Sequence, residues 1–141
     1  MLQILTSKHR CKSWLAGQAA IINITSGLAF IPCAFAPMYG ASKAALHSYT
    51  CAMRPHYEGT KIAIVEIAPP PVKTNLPSSK AYGEDRDEFC RAVFARFQEG
   101  QQEIGYKLSE EARREGREQI DKRFAFMTER SFSGPKFEQE V

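Results

Sequence analysis

The sequence predicts an α/β fold built on a parallel sheet. Three observations predict it. Residues 19–24 and 61–68 are short, continuous apolar runs of the kind that form strands buried on both faces. The stretch between them, from about Met38 to Met53, is rich in helix formers and small side chains. The connections are too long for a hairpin, so strand, helix and strand form a βαβ crossover, expected to be right-handed.

The first strand, Ala19-Ala20-Ile21-Ile22-Asn23-Ile24, is closed by the turn signal Thr25-Ser26-Gly27. The helix is expected to end or kink at Pro55, because the residue before a proline disfavours the α region. The second strand, Lys61 to Ala68, stops at Pro69-Pro70-Pro71, since prolines cannot donate to a sheet ladder. Residues 72–83 mix Pro, Ser, Lys and Gly and read as an irregular loop or lid. From Asp85 to Glu99, the residues Phe89, Ala92, Val93 and Phe97 recur at helical spacing, and Gly100 suits a C-terminal cap. Glu103–Lys107 reads as one more edge strand. Ser109, followed by Glu110 and Glu111, is expected to N-cap a further helix. In that helix Glu110–Arg114 and Glu118–Lys122 form exposed i,i+4 pairs, and Ile120, Phe124 and Met127 form the buried stripe. So charged a helix reads as a solvated cover.

Composition bounds the function classes. The 141 residues, 43% hydrophobic and 25% charged, suit an ordinary globular domain. A formal charge of +3 is too mild to imply nucleic acid or a membrane surface. No stretch approaches the roughly 18 uninterrupted apolar residues of a membrane span. No acidic residue precedes Glu58, and Lys8, Arg10 and Lys12 make the start faintly basic. A poorly ordered terminus accounts for this better than an organelle-targeting segment does. Cys11, Cys33, Cys51 and Cys90 lie far apart with no C-x-x-C pair. They read as reduced thiols of a cytoplasmic protein, with no metal site and no histidine partner expected. The expected organisation is an atypical N-terminal segment at 1–18, a domain at 19–130 and a disordered tail at 131–141.

The residues that carry chemistry are Ser26, Tyr39 and Lys43. Tyr39 and Lys43 stand at i and i+4, on one helix face. A phenol is a poor base at neutral pH, but an ammonium within about 4–6 Å favours the phenolate and makes it usable for general acid–base work. Ser26 stands at the carboxyl end of the first strand, thirteen residues before Tyr39. Ligands of open α/β sheets bind outside those carboxyl ends. Each residue alone has an ordinary structural explanation, a surface pair or a turn serine. Their order along strand, helix, strand and proline turn is the specific signal.

In that order the sequence resembles the short-chain dehydrogenase/reductase family, from about Ala19 to Leu76. The matching segments are Ile21-Ile22-Asn23-Ile24-Thr25-Ser26-Gly27, Tyr39-Gly40-Ala41-Ser42-Lys43-Ala44-Ala45 and Ile67-Ala68-Pro69-Pro70-Pro71-Val72-Lys73-Thr74. The part from Glu84 to about Met127 resembles a bacterial and fungal subgroup of such oxidoreductases. The resemblance implies the last strands of a doubly wound, Rossmann-like parallel sheet, and reversible hydride transfer between NAD or NADP and a small carbonyl or alcohol. By it, Tyr39 would exchange the proton with the substrate oxygen, and Lys43 would favour the ionised phenol and hydrogen-bond the nicotinamide ribose. Ser26 would position the substrate oxygen. Pro69, Pro70, Val72 and Thr74 would cradle the nicotinamide, with Pro70 in place of the family's glycine.

Only 25 residues precede Ser26, so the family's glycine-rich, N-terminal dinucleotide-binding half has no counterpart here, nor has its relay asparagine. An alternative exon, a misplaced start codon or a truncated gene is the expectation for the start. Two readings follow. The chain is a piece of an active oxidoreductase, or it is an inactive module that binds a partner. For the second, the resemblance implies a homo-oligomer through the Tyr39-bearing helix. On the first, the innermost strand would be left with an unpaired apolar edge.

Overall fold

The computed structural model describes residues 3–5, 19–74 and 82–132. A four-stranded sheet runs in the order β1 (Gln3–Leu5), β2 (Ala19–Ile24), β3 (Ile62–Ala68) and β4 (Glu103–Gly105). The strands β2, β3 and β4 are parallel, with Ile22 opposite Val65 and Ile67 opposite Ile104. β1 pairs antiparallel with β2, Ile4 opposite Ile21. The edge of β2 expected to be free is therefore paired over three residues. Extended backbone there satisfies the unpaired amides of β2, the liability that an open strand carries.

The sheet is sided because successive strand residues face opposite ways. Ala20, Ile22, Val65 and Ile104 form one core with Val93, and Phe89 and Phe97 pack against it. Those last three come from α2 (Arg86–Gln98), as their helical spacing predicts. Asp85 caps α2 by accepting the amides of Asp87 and Glu88, and Gly100, at φ +85, turns the chain out of it. The opposite face carries α1 (Pro37–Tyr57) and sets buried polar groups among the apolar Ile64 and Ala68: Asn23 Nδ2 donates to Thr50 Oγ1 at 2.9 Å.

Three expectations fail locally. α1 runs through Pro55 to Tyr57, because a proline in the last turn sacrifices one hydrogen bond and breaks nothing beyond it. Gly59, at φ +77, then ends it. Ser109 is not an N-cap; it lies inside α3 (Leu108–Arg114), behind Lys107. The expected single helix is two, since the chain breaks at Glu115 and Gly116 before α4 (Arg117–Phe132). On α4 the supposed buried stripe is shallow, Phe124 being 36% exposed and Ile120 and Met127 half-buried. The pairs Glu110–Arg114 and Glu118–Lys122 do form, each at 2.6 Å. Residues 75–81 of the expected lid, and 133–141 of the expected tail, lie outside the described residues. No helix among the described residues is long and apolar enough to cross a membrane.

Candidate active site

Three segments meet at the carboxyl ends of β2 and β3. Thr25 N donates to Ile67 O at 2.8 Å, and Gly27 N donates to Pro69 O at 3.1 Å. The turn that holds Ser26 and the proline turn are thereby tied side by side. Ser26 is extended and caps a short 3-10 turn, Gly27–Ala29, its Oγ accepting the Leu28 amide at 3.2 Å. A hydroxyl that accepts there still has its proton to give.

Tyr39 stands in the first turn of α1, which Pro37 opens with a fixed φ suited to that position. The start of α1 lies close on the 3-10 turn: Gly40 is buried, and a Cβ on it would stand 3.4 Å from Leu28 O. One helical turn on, Lys43 Nζ donates to Ile24 O at 2.9 Å and lies 5.6 Å from the centre of the Tyr39 ring. Tyr39 remains 47% exposed. Ser26, Tyr39 and Lys43 thus share one end of the sheet, with the phenol facing solvent.

The segment Pro69–Thr74 borders the same end. Pro70 is buried, and Val72 bridges Glu84, with Lys73 N donating to Glu84 O at 2.9 Å and Glu84 N to Pro71 O at 2.8 Å. Gly83 makes this close pass possible. Its φ is +130, and a Cβ would meet the Pro71 carbonyl at 2.9 Å. With Pro70 where a glycine was expected, the turn is still held, by Gly27 on one side and Glu84 on the other.

A polar layer beneath α1 escaped the sequence reading. Glu66 of β3 is 1% exposed, accepting from Thr25 Oγ1 at 2.6 Å and lying 2.8 Å from His47 Nδ1. Cys51 Sγ is 3.8 Å from His47 Nε2, which corrects the expectation that no histidine stands near a cysteine. Burial pushes the Cys51 thiol up; Arg54 opposes this, and Glu66 and Glu103 add to it. The available signal was a lone carboxylate in the run Ile-Ala-Ile-Val-Glu-Ile-Ala.

A family model for short chain dehydrogenases matches residues 3–85, more than half of the chain. The chain belongs to the short-chain dehydrogenase family. It is also 36% identical over 117 residues to a Bacillus subtilis (strain 168) protein named uncharacterized oxidoreductase DltE, covering 78% of this chain and 46% of that one. Its fold is similar to that of a short chain dehydrogenase from Burkholderia cenocepacia J2315, solved in complex with NADP. That match has a TM-score of 0.63 at 21% identity and covers 82% of this chain and 49% of the other. This member of the family spans about half the length of the relatives it matches. Its sheet is that of a partial Rossmann-like fold.

Proposed function

We propose that this chain carries the proton-transfer residues of an oxidoreductase that uses NAD or NADP to interconvert a small carbonyl and its alcohol. The observation that carries the reading is the placement of Lys43 between the Ile24 carbonyl and the Tyr39 ring. An ammonium has three N–H donors, and among the described residues one is spent, on Ile24. The remaining donors fit a ribose hydroxyl. The Tyr39 hydroxyl, on an exposed ring, fits a proton exchange with a substrate oxygen. The Ser26 hydroxyl proton fits a hydrogen bond to that same oxygen, where charge develops. Pro69, Pro70, Val72 and Thr74 would border the nicotinamide. When bound, the nicotinamide supplies or accepts the hydride. Among the described residues the cysteines Cys33, Cys51 and Cys90 are unpaired, which supports a reducing, cytoplasmic setting.

The test is turnover of simple aldehydes and ketones with NADH or NADPH in the full-length context, with the family's dinucleotide-binding half supplied. Tyr39→Phe is expected to lower the rate about 10²–10⁴-fold, the contribution of a placed general acid, with cofactor binding retained. Equal rates for Tyr39→Phe and the parent in that context would overturn the reading; NADH or NADPH binding by the 141-residue chain alone, followed by fluorescence, would overturn the expectation that it is inactive by itself.

One observation favours the second reading, an interaction module. The outer face of α1 exposes Met38 (81%) and Tyr49 (51%), with the small Ala41, Ala45 and Ala52 between and beyond them. A second copy of the same helix is the partner this face would take. A strictly monomeric chain at high concentration, by light scattering after gel filtration, would sink that reading.

A further inference from the structure

The side of α1 that brings Lys43 to the sheet continues at i+4 and i+8 with His47 and Cys51. Beneath them β3 presents Glu66, a buried carboxylate in an apolar strand. His47 Nδ1 lies 2.8 Å from Glu66 Oε2 and 3.1 Å from Oε1. Cys51 Sγ lies 3.9 Å from His47 Nδ1 and 3.8 Å from Nε2. One nitrogen, one sulfur and one carboxylate oxygen fall within 4.8 Å of one another.

We propose that His47, Cys51 and Glu66 form a binding site for a borderline-soft divalent cation, with zinc as its occupant. Zinc sits about 2.0–2.3 Å from such donors, so its ligand atoms stand roughly 3–4 Å apart, the spacing these three approach already. The donor set decides the metal class. Imidazole and thiolate suit zinc or cobalt, whereas magnesium and calcium require oxygen ligands. Three protein ligands leave a fourth position for water or another small ligand.

The surroundings agree with this use. Thr25 Oγ1 donates to Glu66 Oε1 at 2.6 Å, the outer hydrogen bond that orients a ligating carboxylate. A cleft of about 340 Å³ at the amino ends of β3 and β4 reaches Cys51, with Arg54, Ile62, Ile64 and Gln102 on its walls. It gives an ion a route to the thiol. Arg54 Nη1 comes within 3.6 Å of Cys51 Sγ, a cation that favours the thiolate a metal needs, and it is held there by Glu103, which also pairs with Arg113. Glu66 and a Cys51 thiolate then meet the cation's two charges with two of their own. On binding, the thiol proton leaves to solvent as the S–metal bond forms, and a proton on His47 Nδ1 moves to Nε2. None of this depends on the oxidoreductase reading.

A hydrogen bond from His47 to Glu66 would by itself satisfy the buried carboxylate, so the experiment must detect the thiolate. The untagged, reduced chain is titrated with Co²⁺ while the cobalt–thiolate charge-transfer absorption is followed, and Zn²⁺ is then added in competition. The expected result is one equivalent of cobalt, a thiolate band, and its loss on adding zinc. Cys51→Ser should abolish the band, and Cys90→Ser should keep it. Thr25→Val should keep the band but weaken binding about 10–100-fold, the usual effect of losing an outer partner. No stoichiometric band in the parent chain overturns the site, as does a band that survives Cys51→Ser. Circular dichroism of Cys51→Ser separates loss of a ligand from loss of the fold.

Discussion

Ser109 Oγ donates to the Ala68 carbonyl at 2.5 Å and accepts the Tyr106 amide at 2.9 Å, wholly buried. The serine that local sequence suggests as a helix cap instead fastens α3 to the last carbonyl of β3. Gly27 makes room for it, since a Cβ there would stand 3.2 Å from Ser109 Cβ. One side chain thus links α3 to the strand end and the turn next to Ser26.

Ser109→Ala should therefore destabilise the chain well beyond the loss of a surface hydroxyl. It strands a buried carbonyl and a part-buried amide, at a cost of about 1–3 kcal/mol. Urea unfolding followed by circular dichroism measures this. A midpoint unchanged from the parent would show that α3 is fastened elsewhere.

Gly105 is a packing requirement of the same region. A Cβ there would lie 2.7 Å from Glu110 Cα and 2.8 Å from Glu110 N, contacts with backbone that cannot rotate away. Gly105→Ala is expected to push α3 off β4 and cost about 1–3 kcal/mol, as overpacking does. The lowered midpoint should come with faster exchange of the Gly105 amide, which Glu110 Oε2 accepts at 3.0 Å.

Glu110 also sets an acid limit on stability. Partial burial alone would raise its pKa, but the Arg113 hydrogen bond and charge, then Arg96 and the Gly105 amide, hold it down at about 2. The folded value lies below the ordinary 4.5, so this stabilisation is full above about pH 4.5 and is lost as pH falls toward 2. The difference corresponds to about 3 kcal/mol at most. Glu110→Gln should cost that order at pH 7, roughly half of it at pH 3, and converge on the parent only below about pH 2. Parallel unfolding curves at pH 7, 3 and 2 would show it; a gap at pH 2 as wide as at pH 7 would contradict the assignment.

The contrast between Ser109 and Tyr39 shows what sequence could and could not supply. Apolar runs at 19–24 and 61–68 and the Tyr39–Lys43 spacing are local patterns, and local patterns place β2, β3 and the face of α1. Ser109 pairs with Ala68 41 residues away, and His47 with Glu66 19 away, so neither partnership leaves a local trace. Glu66 was legible as an anomaly, since a charge in a buried strand demands a partner. Which partner depends on how α1 lies across the sheet. The pairing of β1 with β2 was illegible for the same reason, three residues carrying too little pattern to compete with a loop. The break at Glu115 and Gly116 was readable in principle, glycine being a weak helix residue, but the ion pairs on either side masked it.

Lys43 offers the sharpest separation of function from stability. Its ammonium is bonded to Ile24 O near solvent, so Lys43→Met should cost only about 0.5–1.5 kcal/mol in folding. In the oxidoreductase reading the same change removes the charge beside Tyr39 and the donors to the ribose, and turnover should fall at least about 10²-fold. Lys43→Arg keeps the charge yet should not restore the rate, because a planar guanidinium cannot place its donors where a compact ammonium does. Rates and unfolding midpoints measured on the same preparations decide it. A large loss of stability with proportionate loss of rate would make Lys43 a structural tether of Ile24 and remove it from the proton-transfer group.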